Sequence, residues 1–342
     1  MSQTASMQPL SEQQAGFAAE TIDSLTKALR NVLFGQDELI AMVVVGLLAR
    51  GHILLEGLPG LGKTELVKGL SKALALTSKR VQFTPDLLPG DITGNPVLEE
   101  VDGRRKFVFQ PGPVFANILL ADEINRASPK TQSAMLEAMQ ERRVTVMGQT
   151  HPLPSPFFVL ATQNPIELEG TYPLPEAQLD RFLFKLDVKS NDVGTLEKIV
   201  LNREIGVEPH VATVMDAGSL DKLLDQVRRV YMPPTVANYI ARLVQATHPG
   251  GPHAKGVKFG ASPRAALALA AAAKAKALCD RRINAAYEDV RSVAAPVLRH
   301  RIVLDYGAKL EGLTTDALVA RLLEHIPVQD KPLPSSLAAA KV

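Results

Sequence analysis

The sequence predicts an α/β fold: a parallel sheet covered by helices on both faces, followed by a smaller, all-helical second part. In the first half of the chain, short apolar segments of strand length alternate with segments of helical periodicity. Continuous apolar strands that alternate with helices are typical of a parallel sheet buried on both faces. After about Asp187, strand-like segments disappear and helical ones follow. A chain of 342 residues is long enough for two domains of ordinary size.

Five apolar segments are the predicted strands of the sheet. They lie at residues 53–56, 80–83, 118–121, 157–161 and 182–186. Helices are predicted around them, from about residue 20 and over residues 37–50, 65–74 and 129–142. Ser128 followed by Pro129 is a typical helix start, because serine caps free N–H groups and proline fits the first turn.

Two stretches interrupt this alternation and are interpreted as β-hairpin insertions. In the first, strand-like residues 95–98 and 106–109 flank Asp102 and Gly103, a pair that favours a tight turn. In the second, residues 143–156 have a similar pattern, with Gly148 at the turn.

The chain is divided into five parts on this pattern. We predict a disordered tail over residues 1–16, an α/β core over 17–190, a linker over 191–220, a helical domain over 221–330 and a disordered tail over 331–342.

Composition and charge exclude several classes of protein. With 38 basic and 36 acidic residues, the net charge of +2 gives no overall attraction to nucleic acid or to an anionic membrane. The single cysteine, Cys279, forms no internal disulfide and is interpreted as a packed small side chain. The longest apolar run, residues 39–49, is shorter than the roughly 20 residues that span a bilayer. We expect a soluble, cytoplasmic protein without a signal peptide.

Residues 57–64, Gly-Leu-Pro-Gly-Leu-Gly-Lys-Thr, predict a phosphate-binding loop. Gly57 and Gly62 are separated by four residues and followed by Lys63 and Thr64, between a predicted strand and a predicted helix. Glycines let the backbone curl so that successive N–H groups face phosphate oxygens, and the helix start adds positive potential. Lys63 supplies charge for the β- and γ-phosphates, and the Thr64 hydroxyl is a candidate ligand of Mg²⁺.

Asp122 and Glu123 follow the apolar residues 118–121, about 60 residues after the loop. A strand that ends in two acids is what a Walker B element requires. Asp122 would hold Mg²⁺, partly through water, and Glu123 would polarise the attacking water. Without the loop, the same pair could be a solvated strand end; with it, the sequence predicts an ATP hydrolysis site.

With these two elements, the chain resembles the MoxR family of AAA+ ATPases. The resemblance is carried by residues 84–89 (TPDLLP), 121–127 (ADEINRA), 132–139 (QSAMLEAM) and 161–165 (ATQNP). It extends from about Leu33 through the helical domain. It implies an AAA+ P-loop core with two hairpin insertions, followed by a small all-α lid domain.

The resemblance also implies roles for residues outside the two elements. Asn164 matches the polar sensor 1 residue that orients water near the γ-phosphate; a turn residue before Pro165 is the alternative. Arg181 matches the arginine finger that reaches a neighbouring subunit's γ-phosphate; a surface ion pair with Asp180 is the alternative. Arg264 matches sensor 2, which also contacts nucleotide; its alternative is a simple charge at a helix start.

The predicted nucleotide contacts combine the loop with the segment that lines the adenine pocket. They are Val32, Gly35, Gln36, Pro59, Gly60, Leu61, Gly62, Lys63, Thr64, Glu65 and Arg264. Arg126 and Arg143 are further basic residues near the site that could act across a subunit boundary, and neither is assigned a catalytic role.

ATP and Mg²⁺ are the implied substrate and cofactor. The resemblance implies a hexameric ring that remodels or matures client proteins, together with a partner that carries a von Willebrand factor A domain. A DNA-remodelling ATPase is one alternative, but residues 144–154 contain no Lys or Arg for a phosphate backbone. A nucleotide-gated binding module with little hydrolysis is the other.

Overall fold

In the computed structural model, which describes residues 9–58, 60–101, 104–164, 170–204 and 206–328, two helices precede the sheet. They are α1 (Glu12–Arg30) and α2 (Asp37–Leu48). Ser11 caps α1: its side chain accepts from the Gln14 backbone N–H at 3.2 Å, and the Gln14 side chain accepts from the Ser11 N–H. The predicted disordered tail over residues 1–16 is therefore wrong from Glu12 onward. The helix begins at Glu12 and not near residue 20, because this capping box stabilises its first turn.

The nucleotide-binding core contains the next elements in chain order. They are β1 (Ile53–Glu56), α3 (Lys63–Ala73), β2 (Ser78–Gln82), α4 (Pro89–Thr93), β3 (Gly94–Val101), β4 (Arg104–Pro111), β5 (Ile118–Asp122), α5 (Pro129–Glu141), β6 (Arg143–Val146), β7 (Gln149–Pro152), β8 (Phe158–Gln163), α6 (Glu176–Leu179) and β9 (Phe184–Asp187). Five of the strands form one sheet in the order β2-β5-β8-β1-β9. Every neighbouring pair is parallel, which confirms the predicted fold class.

Both faces of this sheet are buried, as the unbroken apolar runs predict. On β1, Ile53 and Leu55 join one hydrophobic cluster, which includes α1, α2 and α3, whereas Leu54 joins a second cluster that includes α5. Side chains of a strand alternate between its faces, so each face contributes to a separate half of the core.

The two predicted hairpins are separate two-stranded sheets. Strands β3 and β4 pair antiparallel, with Val97 opposite Val108. The predicted turn residues Asp102 and Gly103 lie outside the described residues. Strands β6 and β7 also pair antiparallel, around a turn in which Gly148 has φ +77°.

The rest of the chain is mainly helical. Its elements are α7 (Val193–Asn202), α8 (Ala217–Arg229), α9 (Pro234–Gln245), β10 (Val257–Phe259), α10 (Pro263–Cys279), α11 (Tyr287–Leu298), β11 (Val303–Leu304), α12 (Tyr306–Leu310) and α13 (Thr315–His325). Helix α7 lies inside the predicted linker 191–220, a segment for which the sequence patterns predicted no helix. The helix is capped by Asp192, whose carboxylate accepts from the Thr195 N–H at 2.7 Å.

This part also contains two short strands. Strands β10 and β11 form a short antiparallel pair that the sequence patterns did not predict. The predicted tail 331–342 lies outside the described residues. Among the helices in the described ranges, none is long and apolar enough to cross a membrane.

Candidate nucleotide-binding site

The phosphate-binding loop has the backbone that its glycines predict. Gly60 and Gly62 both have φ +81°, a left-handed conformation that glycine adopts without steric cost. Helix α3 begins directly afterwards at Lys63, so its first N–H groups and its positive end face the loop. Lys63 Nζ donates to the Gly57 carbonyl at 2.7 Å. Burial lowers the pKa of Lys63, and the charges of Asp122 and Glu123 act in the opposite direction.

A cavity of about 310 Å³ lies against this loop and is lined by most of the predicted catalytic residues. We call it the phosphate cavity. The predicted residues that line it are Gly60, Gly62, Lys63, Thr64, Glu65, Asp122, Glu123 and Asn164. Asn164 is buried and directly follows β8, the neighbour in the sheet of β1, which leads into the loop. Pro59 lies outside the described residues.

Thr162 on β8 fixes both acids of the β5 end. Its hydroxyl donates to Asp122 Oδ1 at 2.7 Å and accepts from the Glu123 backbone N–H at 2.8 Å. Glu123 has φ +57°, an unusual conformation for this residue type that this backbone bond helps to hold. One buried side chain therefore sets the position of the proposed metal ligand and of the proposed base.

The edge strand β2 supplies two more contacts that the sequence patterns missed. Arg80 Nη2 lies 2.6 Å from Asp122 Oδ2, and Gln82 Nε2 donates to Glu123 Oε2 at 2.6 Å. Arg126, a candidate for action across a subunit boundary, also contacts Glu123 Oε2 of its own chain, at 3.0 Å. Before the order of the strands is known, no local signal identifies Arg80 or Gln82.

A second cavity, of about 480 Å³, continues from the phosphate cavity and shares Gly60, Gly62 and Glu65 with it. Val32, Leu61 and other apolar side chains line it, including Ile199 of α7. Its apolar character and its position suit an adenine base. Helix α7, which was predicted as linker, is thus one wall of the candidate nucleotide site.

Gly35 and Gln36 lie beside this second cavity and do not line it; they line a separate cavity with Thr195. The Gln36 side chain donates to the Lys189 carbonyl at 2.9 Å. A Cβ added at Gly35 would lie 2.3 Å from Thr195 Oγ1. The residues predicted as nucleotide contacts at these two positions therefore hold the segment around α7 close to the core.

Arg203, which was not predicted, lines the second cavity beside Val32 and Phe34. Its Nη2 donates to the carbonyls of Asn31 and Val32, at 2.9 and 2.7 Å, and its guanidinium lies 5.2 Å from the centre of the Phe34 ring. A lone arginine in a segment without a recognised motif gives no signal of this role.

The structure does not bring Arg181 and Arg264 to the phosphate cavity of their own subunit. Arg264 Nη1 lies 3.9 Å from Asp180 Oδ2, and both arginines line a different cavity between the core and the helical domain. Within the described residues no ion pair joins Arg181 to Asp180, and Arg181 Nε is buried without a partner. Arg143 lies near Arg181 on a further cavity and pairs with Glu141 at 3.3 Å.

The residues present fit a Mg²⁺ ion that is shared with a nucleotide. Thr64 and Asp122 offer hard oxygen ligands on one cavity. In the described ranges, no cluster of three or more His, Cys, Asp or Glu side chains could hold a metal alone. Mg²⁺ is commonly held by one or two side chains together with substrate phosphates, and this donor set has that character.

The chain is similar to known proteins of one ATPase family over most of its length. The model of the ATPase family associated with various cellular activities (AAA) matches residues 52–184, and that of the AAA lid domain matches residues 253–322. The chain is 41% identical to Chaperone MoxR1 of Mycobacterium tuberculosis, over 95% of this chain and 89% of that protein. It is 32% identical to Protein MoxR of Paracoccus denitrificans, over 88% and 94%. The crystal structure of a putative ATPase from Cytophaga hutchinsonii superposes with a TM-score of 0.86 at 38% identity, over 92% of this chain and 97% of that one.

Proposed function

Because this chain belongs to the MoxR family of AAA+ ATPases, we propose that it hydrolyses ATP in a ring of identical subunits and thereby remodels or matures client proteins. The observation that carries the ring is the separation of Arg181 and Arg264 from the phosphate cavity. Within one subunit neither guanidinium lines that cavity, and in a closed ring each subunit presents such residues to its neighbour.

Nucleotide is held by residues of one subunit. The loop N–H groups and Lys63 bind the phosphates, and the cavity beside Val32 takes the base. Thr64 and Asp122 hold Mg²⁺, which when bound neutralises charge on the phosphate oxygens. Thr162 keeps Asp122 in place for this role.

Glu123 accepts the proton of the attacking water, and Asn164 orients that water. Both residues line the phosphate cavity, which supports these roles. Arg181 of the adjacent subunit stabilises the charge that develops on the transferred phosphoryl group, and Arg264 contacts the same nucleotide.

The client function rests on the family. A close relative carries the name Chaperone MoxR1. On the resemblance described above, we propose a hexamer that works with a protein containing a von Willebrand factor A domain. The single cysteine supports a reducing compartment, and we propose the cytoplasm.

Replacing the finger tests the mechanism. Arg181→Ala should reduce ATP turnover by about 10³-fold or more, the scale of arginine fingers, while nucleotide affinity of the isolated subunit stays unchanged. Arg281→Ala is the control, because Arg281 is exposed, pairs with Asp23 and lines none of the three cavities that hold the predicted site residues. Loss of nucleotide binding in Arg181→Ala, or unchanged turnover, would remove Arg181 from this role.

A second experiment identifies client and partner. Glu123→Gln keeps the shape of the side chain but removes the base, so ATP should remain bound. Proteins that co-purify with the ATP-loaded variant from the native cell, but not with Lys63→Ala, are the candidates. If neither variant retains a protein beyond the wild-type background, the client proposal loses its support.

A further inference from the structure

A cavity of about 390 Å³ between the core and the helical domain contains an unusual concentration of arginines. We call it the arginine cavity. Its arginines are Arg50, Arg142, Arg181, Arg264 and Arg301. Arg50 follows α2, Arg142 ends α5, and Arg264 lies in the first turn of α10, so the cluster is assembled from distant parts of the chain.

Only one carboxylate among the lining residues, that of Asp180, faces these charges. It is already engaged, because it accepts from Arg301 Nε at 2.7 Å and from the Ser262 hydroxyl at 2.9 Å. His52, which also lines the cavity, adds no negative charge, and burial lowers its pKa to about 4, so it is neutral at pH 7. Five arginines and one aspartate leave a surplus of four positive charges.

Two of these guanidinium groups each have one buried nitrogen without a hydrogen-bond partner within the described residues. Arg50 Nε and Arg181 Nε are buried with no hydrogen-bond partner. The Arg142 guanidinium makes a long contact, from Nη2 to the Arg50 carbonyl at 3.4 Å. Burial and the charge of Arg50 both lower the pKa of Arg142. A buried donor without an acceptor is costly, so such a cluster indicates an acceptor from outside the subunit.

The helix ends near the cavity do not supply that acceptor. The C-terminal ends of α2 and α5 contribute about half a negative charge each, roughly one charge against four. The N-terminal end of α10 contributes with the opposite sign. Arg50 and Arg142 have φ of +57° and +53°, the left-handed conformation in which many helices end, so the ends of α2 and α5 set their positions.

We propose that the arginine cavity binds a multiply charged phosphate group, and that Arg50 and Arg142 bind it together with Arg181 and Arg264. Guanidinium groups match phosphate oxygens with paired hydrogen bonds, and several of them can share one group. The phosphate has two possible sources: the nucleotide held by an adjacent subunit, or a free phosphate anion. Only the first source rests on the proposed ring.

Calorimetric titration with inorganic pyrophosphate tests the cavity itself. The background is Lys63→Ala, which weakens binding at the phosphate loop. Pyrophosphate should bind saturably, and adding Arg50→Gln or Arg142→Gln should weaken it about tenfold or more, the scale of a lost charge-assisted bond. Arg281→Gln is the matched control, because Arg281 is also a left-handed arginine, with φ +61°, but is exposed and remote.

Thermal unfolding separates binding from a structural role. Arg50→Gln and Arg142→Gln relieve repulsion, so without pyrophosphate they should unfold no earlier than their parent. Pyrophosphate should raise the unfolding temperature of the parent and of the Arg281→Gln control more than that of either variant. The proposal is overturned if pyrophosphate does not bind, or if all three substitutions affect its binding equally.

Subunit mixing identifies the source of the phosphate. Glu123→Gln impairs ATP turnover because it removes the proposed base, and Arg142→Gln also impairs it if the phosphate belongs to a neighbour's nucleotide. Mixing the two variants then restores activity, because some interfaces join an intact Glu123 to an intact Arg142. Pyrophosphate binding without restoration assigns the cavity to a free phosphate anion. A wild-type chain without ATPase activity would refute the proposed function, while the pyrophosphate titration would still decide the cavity.

Discussion

Arg301 of the helical domain donates a hydrogen bond of 2.7 Å from Nε to Oδ1 of Asp180, the residue that precedes Arg181. The same guanidinium also donates to the backbone carbonyls of Asp180, Phe182 and Leu183. Arg301 is buried, and it therefore fixes the backbone on both sides of Arg181. A movement of the helical domain would be transmitted to the proposed finger through this contact.

Asp180→Asn should disturb the finger without disturbing the nucleotide site of the same subunit. The variant removes the charge that compensates Arg301, and breaking a buried pair costs about 3–5 kcal/mol of unfolding free energy. We expect turnover to fall by about tenfold or more under conditions where the variant is folded, with nucleotide affinity unchanged. The control is Asp187→Asn, which breaks another contact to the helical domain, the 2.6 Å pair with Arg299. Equal turnover losses in the two variants would point to a general loss of domain contact.

Thr162→Val should lower turnover although Thr162 is not a proposed catalytic group. Valine keeps the volume but loses the bonds to Asp122 and to the Glu123 backbone. We expect kcat to fall about tenfold or more, since catalytic groups displaced by a fraction of an ångström lose much of their effect. Thr162→Ser retains the hydroxyl and should recover most of the rate. A Thr162→Val enzyme with the wild-type kcat would show that these bonds do not position the acids.

Arg203→Ala should weaken nucleotide binding. The arginine holds Asn31 and Val32 at the edge of the adenine cavity by two carbonyl contacts, and bonds to a charged donor contribute about 1.5–3 kcal/mol each. We expect KM for ATP and Kd for ADP to rise about tenfold, with kcat nearly unchanged. Glu208→Gln is the control, because Glu208 lines the same cavity but is exposed and bridges only Lys68 and Lys72. An unchanged Kd would exclude the segment after α7 from the nucleotide site.

Folding stability should depend on pH through His52. Its Nδ1 accepts from the Val159 N–H and its Nε2 contacts the Met139 carbonyl, which requires the neutral ring with the proton on Nε2. Burial lowers its pKa from 6.5 to about 4. The unfolded chain therefore takes up a proton as pH falls below 6.5, while the folded chain does so only near 4.

The neutral His52 therefore contributes up to about 3 kcal/mol to the free energy of unfolding. This contribution is fully present above pH 6.5 and is lost as the pH falls to about 4. Urea unfolding between pH 7.5 and 4.5 should show this loss, and His52→Gln should reduce the pH dependence. His300 is also buried with a lowered pKa and contributes with the same sign, so some dependence will remain. His248 is exposed, so His248→Gln is the control and should leave the dependence of the unfolding free energy on pH unchanged. If His52→Gln shows the same pH dependence as the wild type, His52 is not the group responsible.

The features predicted well are those determined by residues close together in sequence. The loop from Gly57 to Thr64 and the acids after β5 carry their geometry in local glycines, a helix start and a strand end. The start of α1 could also have been predicted, because Ser11 and Gln14 have the spacing of a capping box.

The residues that were missed depend on which elements become neighbours. Arg80 and Thr162 reach Asp122 only because β2 and β8 lie on either side of β5, an order that no local pattern contains. Arg203 reaches Val32 across 171 positions of the chain. Arg50 and Arg142 could not be predicted either, because they line the same cavity only when the ends of α2 and α5 lie side by side.

The central claim is that an active site is completed by a neighbouring subunit, and the rate of ATP hydrolysis per subunit measured against protein concentration tests it most directly. The oligomeric state should be determined at each concentration, for example by mass photometry. We predict that the rate per subunit falls steeply as the protein dissociates, and that isolated subunits still bind nucleotide but hardly hydrolyse it. A rate per subunit that stays constant down to a demonstrated monomer would contradict the claim.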